Sequence, residues 1–138
     1  VTNPTPLPSP LLPTPTPAGR QVYVRDIPSG QTWRVAPGDG PLSLSSNGDV
    51  LAFESRHDLL PEDDNGQADA FVWDRSTLSV TRVNVTPAGG QSSDPREELV
   101  MSAIDPTGVA VVFASHASDL VTDDTNGFID VFVASGFR

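Results

Sequence analysis

The chain has 138 residues, enough for one domain with a modest core. Its net charge of −10 argues against nucleic acid as a partner, because no basic patch interrupts the acidity. Cysteine is absent, which excludes disulfides and thiolate metal sites, and the longest apolar run, Val109 to Ala114, is far too short for a membrane-spanning helix.

Residues 1–19 form a tail of distinct composition, in which Pro4, Pro6, Pro8, Pro10, Pro13, Pro15 and Pro17 alternate with Thr, Ser and Leu. Proline fixes φ and biases the preceding residue toward extended backbone, so an extended, polyproline-like segment is expected. Two readings fit: a surface linker, or a strand donated to a neighbouring subunit. In the second, Leu7, Leu11 and Leu12 are the candidate interface residues. The start at Val1 fits a processed, secreted chain, and the expected location is extracellular or at the cell surface.

From Arg20 onward the chain reads as short strands separated by turns, all β, with no helical periodicity. Gln21 to Asp26 and Thr32 to Val35 are two strands joined by Pro28-Ser29-Gly30. Next come Leu42 to Ser45, a Ser46-Asn47-Gly48-Asp49 turn, Val50 to Ser55, an acidic loop, Asp69 to Asp74, and Thr81 to Val85. After Gly89-Gly90 the series restarts: Leu99 to Ala103, Asp105-Pro106-Thr107-Gly108, Val109 to Ser115, a second acidic loop, and Asp130 to Ala134.

The restart is a repeat. Gly48 to Val72 returns about sixty positions later as Gly108 to Val133. The first hairpin is a partial third copy, with Tyr23 falling on Phe71, Asp26 on Asp74, Arg34 on Arg82 and Val35 on Val83 at one offset. Phe53, Phe113, Tyr23, Phe71 and Phe132 occupy repeat-equivalent places and are expected in the core. Trp33 and Trp73 do not align with each other, and are expected to pack on blade faces or interfaces.

A four-stranded meander with a Ser-x-Asn-Gly or Asp-Pro-x-Gly turn, and Asp-x-Asn-Gly-x-x-Asp-x-Phe-Val entering its third strand, resembles the blade of TolB-like β-propellers. The resemblance implies antiparallel four-stranded blades packed face to face. There are about two and a half of them: a partial blade over 20–36, a full one over 41–86 and a partial one over 98–138. Closed propellers use typically four to eight blades. The outer faces and the last strand edge therefore need a partner, and copies of the chain itself are the expected one. The expected function is that of a structural extracellular protein assembling head to tail, into a ring or a filament. The alternative is a propeller-type binding module for a protein or glycan, within a larger propeller.

The two acidic loops, Asp63-x-Asn65-Gly66-x-x-Asp69 and Asp124-x-Asn126-Gly127-x-x-Asp130, share the spacing of several calcium loops, with Glu62 and Asp123 adding charge. Calcium takes six to eight oxygens, which alternating Asp and Asn side chains supply around a glycine turn. The upstream ligand is missing, replaced by Pro61 and Thr122, so the competing reading is an Asx-rich turn bonding its own backbone. Asn84-Val85-Thr86 is a glycosylation sequon. No nucleophile elbow, phosphate loop or dinucleotide fingerprint is present, and no enzymatic activity is expected.

Overall fold

The computed structural model describes residues 19–38, 40–95 and 99–138. The interface candidates Leu7, Leu11 and Leu12 lie outside the described residues. Nine strands are present among those described: β1 (Gln21–Arg25), β2 (Thr32–Pro37), β3 (Leu42–Leu44), β4 (Val50–Ser55), β5 (Asp69–Asp74), β6 (Ser79–Arg82), β7 (Leu99–Ile104), β8 (Ala110–Ser115) and β9 (Asp130–Ser135). They form three antiparallel meanders, β1-β2, β3-β4-β5-β6 and β7-β8-β9, so the all-β, blade-like architecture read from the repeat is the observed one.

The turns do what their residues permit. In the β3–β4 and β7–β8 turns, Gly48 and Gly108 take φ of +72° and +78°, a conformation that a side chain resists. Asp105 holds the second of these turns together: its carboxylate accepts hydrogen bonds from the Thr107 hydroxyl and from the backbone N–H groups of Thr107, Val109 and Ala110. Those bonds, the Thr107 hydroxyl foremost, hold its pKa down at about 2.

Strand alternation gives each sheet two faces, and blade packing buries them in pairs. Between the first and second sheets lie Val22, Val24, Trp33 and Val35 against Leu51, Phe53, Phe71 and Trp73. Trp33 and Trp73 meet here at 6.1 Å between ring centroids, tilted by 53°, which makes both interface packing as expected. Phe53 stacks on Phe71 at 5.7 Å, a cross-strand pair in register. Between the second and third sheets lie Val50, Ala52, Ala70, Val72 and Val83 against Leu99, Ile104, Val111 and Phe113. Here Phe113 stacks on Phe132 at 5.5 Å, repeating the Phe53–Phe71 pair. The second sheet is thus buried on both faces, and the blades are also tied by hydrogen bonds from Ser46 N–H to the Pro106 carbonyl (2.9 Å) and from Ile104 N–H to Ser43 Oγ (3.0 Å).

Two expectations need correction. Tyr23 is 48% exposed although its counterpart Phe71 is fully buried, because its side of the first sheet faces no preceding blade among the described residues. The sixth strand runs from Ser79 to Arg82 rather than Thr81 to Val85. The ladder stops at Asn84, whose side-chain oxygen, in place of a main-chain carbonyl, accepts the Ala70 N–H at 2.9 Å.

Candidate functional site

The two acidic loops are alike in backbone and unlike in surroundings. In each, the asparagine closes an Asx turn: Asn65 Oδ1 accepts the Gln67 N–H at 2.8 Å and Asn126 Oδ1 accepts the Phe128 N–H at 2.6 Å. Gly66 and Gly127 both take positive φ, at +67° and +72°. The difference lies in what stands beside each loop.

In the first loop β6 lays Arg82 against the carboxylates. Arg82 Nη1 sits 3.6 Å from Asp63 Oδ1 and 3.6 Å from Asp69 Oδ2, and it donates to Gln91 Oε1 at 3.1 Å. Asn84 Nδ2 donates to Asp69 Oδ1 at 2.5 Å, and Gln91 Nε2 donates to Asp64 Oδ1 at 2.5 Å. Arg82, Asp63 and Asp69 are all almost completely buried. Burial, then the adjacent Asp69 carboxylate, push Asp63 up to about 6, with Leu59 N–H and Arg82 pulling the other way. The sequon asparagine belongs to this cluster: Asn84 is wholly buried and its amide is committed to Asp69 and Ala70, so the folded chain does not present it for glycosylation.

This arrangement is a poor calcium site. A guanidinium already stands where a cation would neutralise Asp63 and Asp69, and the Asn65 oxygen is turned to its own backbone. Glu62 lies exposed at the rim. In the second loop Asn126 Nδ2 donates to Asp130 at 2.9 Å, while Asp123 is exposed with φ of +66°. Among the described residues no three carboxylate or histidine side chains gather in a way that fits a metal ion. The geometry of both loops is that of the Asx turn.

Among the described residues the second loop has no counterpart to Arg82, because β9 is there the edge of its sheet. Asp124 and Asp130, equivalent to buried Asp63 and Asp69, are part-exposed. Beside them Phe128 is 74% and Ile129 46% exposed, whereas Ala68, the counterpart of Ile129, is 2% exposed. Along β9 itself Val131 and Val133 are 72% and 69% exposed, whereas Ala70 and Val72, their counterparts, are buried beneath the third sheet. Arg82, Ile129, Val131 and Val133 were not singled out from sequence as site residues. The recurrence of arginine at positions 34 and 82 was the signal available for the first of them.

No family model matches the chain, and no curated protein matches it. Among solved structures it is similar to TolB from Acinetobacter baumannii, with 20% identity and a TM-score of 0.50 over 86% of this chain and 24% of that one. It is also aligned with a putative TolB from Agrobacterium tumefaciens, at 22% identity and a TM-score of 0.43 over 84% of this chain and 43% of that one. The chain spans about a quarter of the first protein's length and under half of the second's. The likeness to the first is one of fold: a run of propeller blades of the TolB type.

Proposed function

We propose that this chain is an extracellular structural module that assembles head to tail, each copy packing the open face of its third blade against the first blade of the next. The observation that carries the reading is the outer face of the third sheet, where Val100, Val131 and Val133 are 46%, 72% and 69% exposed. The same face of the second sheet is a buried blade-to-blade contact. Fully burying a valine is worth roughly 1.5–3 kcal/mol, so leaving this face in water forgoes several kcal/mol. At the opposite end Tyr23 is half-exposed where Phe71 is buried, which supports a contact between two different surfaces. Such a contact closes into a ring or continues as a filament. The Pro/Thr-rich composition of residues 1–19 is that of segments bordering secreted domains, and the assembly role assigned to Leu7, Leu11 and Leu12 is part of the same proposal.

Sedimentation velocity over a range of concentrations, with negative-stain microscopy of the same samples, tests this. The expected result is a mass that rises with concentration for the native chain and stays monomeric for Val131→Asp/Val133→Asp. Removing residues 1–17 should weaken assembly while leaving the blades folded. A native chain that remains monomeric throughout would overturn self-assembly and return the open face to the binding-module reading.

A further inference from the structure

The chain contains three Asn-Gly pairs: Asn47-Gly48 in the β3–β4 turn, and the repeat-equivalent Asn65-Gly66 and Asn126-Gly127 in the acidic loops. Glycine has no Cβ to shield its backbone nitrogen, so in such a pair that nitrogen can reach the asparagine side-chain carbon Cγ. Whether it does depends on two freedoms, that of the glycine N–H to lose its proton and that of the amide to turn. The three turns begin alike. Gly48, Gly66 and Gly127 take φ of +72°, +67° and +72°, and each asparagine Oδ1 accepts the N–H two residues on, closing a ring to which both Cγ and the glycine nitrogen belong. They differ at the glycine amide. Gly48 N–H donates to the Ser45 carbonyl at 2.9 Å, while Asn47 Oδ1 also accepts the Ser45 hydroxyl at 2.8 Å and Asn47 Nδ2 donates to Asp49 at 2.8 Å. Gly66 and Gly127 are exposed, and among the described residues their N–H groups make no hydrogen bond. Asn47 is itself exposed, so hydrogen bonding and not burial sets it apart.

We propose that Asn65 and Asn126 are sites of spontaneous deamidation, with water as the co-reactant, and that its turn hydrogen bonds protect Asn47 from the same reaction. Hydroxide removes the Gly127 amide proton, and the nitrogen attacks Asn126 Cγ. The N–Cγ bond forms, the Cγ–Nδ2 bond breaks, and Nδ2 leaves as ammonia, with a succinimide ring remaining. Water then opens either C–N bond of the ring, giving aspartate, or isoaspartate where the bond to the main-chain carbonyl breaks. One water is consumed and one ammonia released, with no change in oxidation state. The Asx turn assists the attack: Phe128 N–H lies 2.6 Å from Asn126 Oδ1, and Gln67 N–H 2.8 Å from Asn65 Oδ1, where negative charge develops on that oxygen. In the β3–β4 turn the attack would first have to break the Gly48 bond to Ser45 and the clamp on the Asn47 amide. The product differs in charge and backbone length. Asn126 Nδ2 no longer donates to Asp130, and a carboxylate takes its place. At Asn65 the new charge joins a loop that already holds Asp63, Asp64 and Asp69. Isoaspartate also inserts a methylene into the main chain just ahead of β5 or β9. The reaction needs neither a partner nor assembly, so it stands apart from head-to-tail packing.

The test uses the unmodified full chain, incubated at mildly alkaline pH at concentrations where it is monomeric, beside a second sample unfolded in urea. Cleavage after arginine places Asn47, Asn65 and Asn126 on separate peptides, 35–56, 57–75 and 97–138, so mass spectrometry follows the amide-to-acid change at each site. Labelling by an isoaspartate methyltransferase identifies the isoaspartate product. In the folded chain Asn65 and Asn126 are expected to lose their amides about tenfold or more faster than Asn47, since each further hydrogen bond that must break slows the reaction by roughly two- to tenfold. In urea, where those bonds are gone, the three rates should converge to within about threefold. Because the comparison is between sites on one chain, misfolding of a variant cannot mimic it. Asn47 keeping pace with either loop in the folded chain, intact Asn65 and Asn126 where the unfolded chain converts, or a ranking that persists in urea would each overturn the proposal.

Discussion

Replacing Arg82 by glutamine should be among the most damaging single substitutions in the chain. The variant leaves Asp63 and Asp69 buried, with the guanidinium that stood 3.6 Å from each of them gone. At that distance and an effective dielectric of about 20, each attraction is roughly 4–5 kcal/mol. Desolvation of the three groups offsets most of it in the intact cluster, but nothing offsets the orphaned carboxylates, so the net loss is expected at ~3–5 kcal/mol at pH 7.5. Hydrogen bonding by the new amide to Gln91 recovers little, because it carries no charge. The loss should shrink by about 1 kcal/mol or more at pH 5, where Asp63, already at about 6, takes up a proton. Urea denaturation followed by circular dichroism reads both values, with a midpoint shift of ~1.5–3 M expected at the higher pH. Adding Asp63→Asn and Asp69→Asn to the variant should restore much of the stability, by the non-additivity of contacting groups. A loss under about 1 kcal/mol at pH 7.5, or an equal loss at both pH values, would show that the cluster is solvated and refute the reasoning.

Asp63→Asn alone gives the complementary pH dependence. The folded pKa of Asp63 lies above its ordinary value of 3.8, so its ionisation weakens the native fold as pH rises from about 4 to about 6. The variant should therefore gain on the parent across that window, by ~1–3 kcal/mol at pH 7, measured as a difference in urea midpoints. Gly48→Ala and Gly108→Ala separate backbone strain from crowding. At Gly48 a Cβ meets open space and the expected cost is the ~1 kcal/mol of a positive φ, whereas at Gly108 it would lie 2.8 Å from Val50 Cγ2, adding ~1–3 kcal/mol, so thermal melting should rank Gly108→Ala clearly lower. Millimolar calcium and a chelator should leave the melting temperature unchanged; a rise with calcium would overturn the Asx-turn assignment of the loops.

The strands were legible because two independent signals agreed: short apolar runs bounded by turn residues, such as Val50 to Phe53 after Ser46-Asn47-Gly48-Asp49, and recurrence of the same segments about sixty residues on. Turn chemistry located Gly48 and Gly108 for the same reason, since only glycine relieves that backbone. What escaped depended on neighbours that a linear pattern does not name. Tyr23 shares its repeat position with Phe71 and still lies half in water, since burial of a blade face is a property of the next blade and not of the strand. The loops gave the calcium spacing because the motif records side-chain types along the chain. The cation facing Asp63 and Asp69 comes instead from Arg82, across the sheet and beyond a turn. The sequon at Asn84 is a related case, as three residues specify a recognition sequence but not its exposure in the fold.

The second sheet contributes side chains to both apolar clusters, while each outer sheet contributes to one. Amide hydrogen exchange should consequently be layered. Protection should be greatest in β4 and β5, whose backbone opens only when both clusters are lost, and lesser in β1, β2 and β9, which are released by a local opening that leaves one cluster standing. The molecule then behaves as a short linear array whose middle member sets the global unfolding free energy and whose end members fluctuate on their own. Any blade added at either end converts an end member into a middle one, and its slowed exchange reports the addition directly.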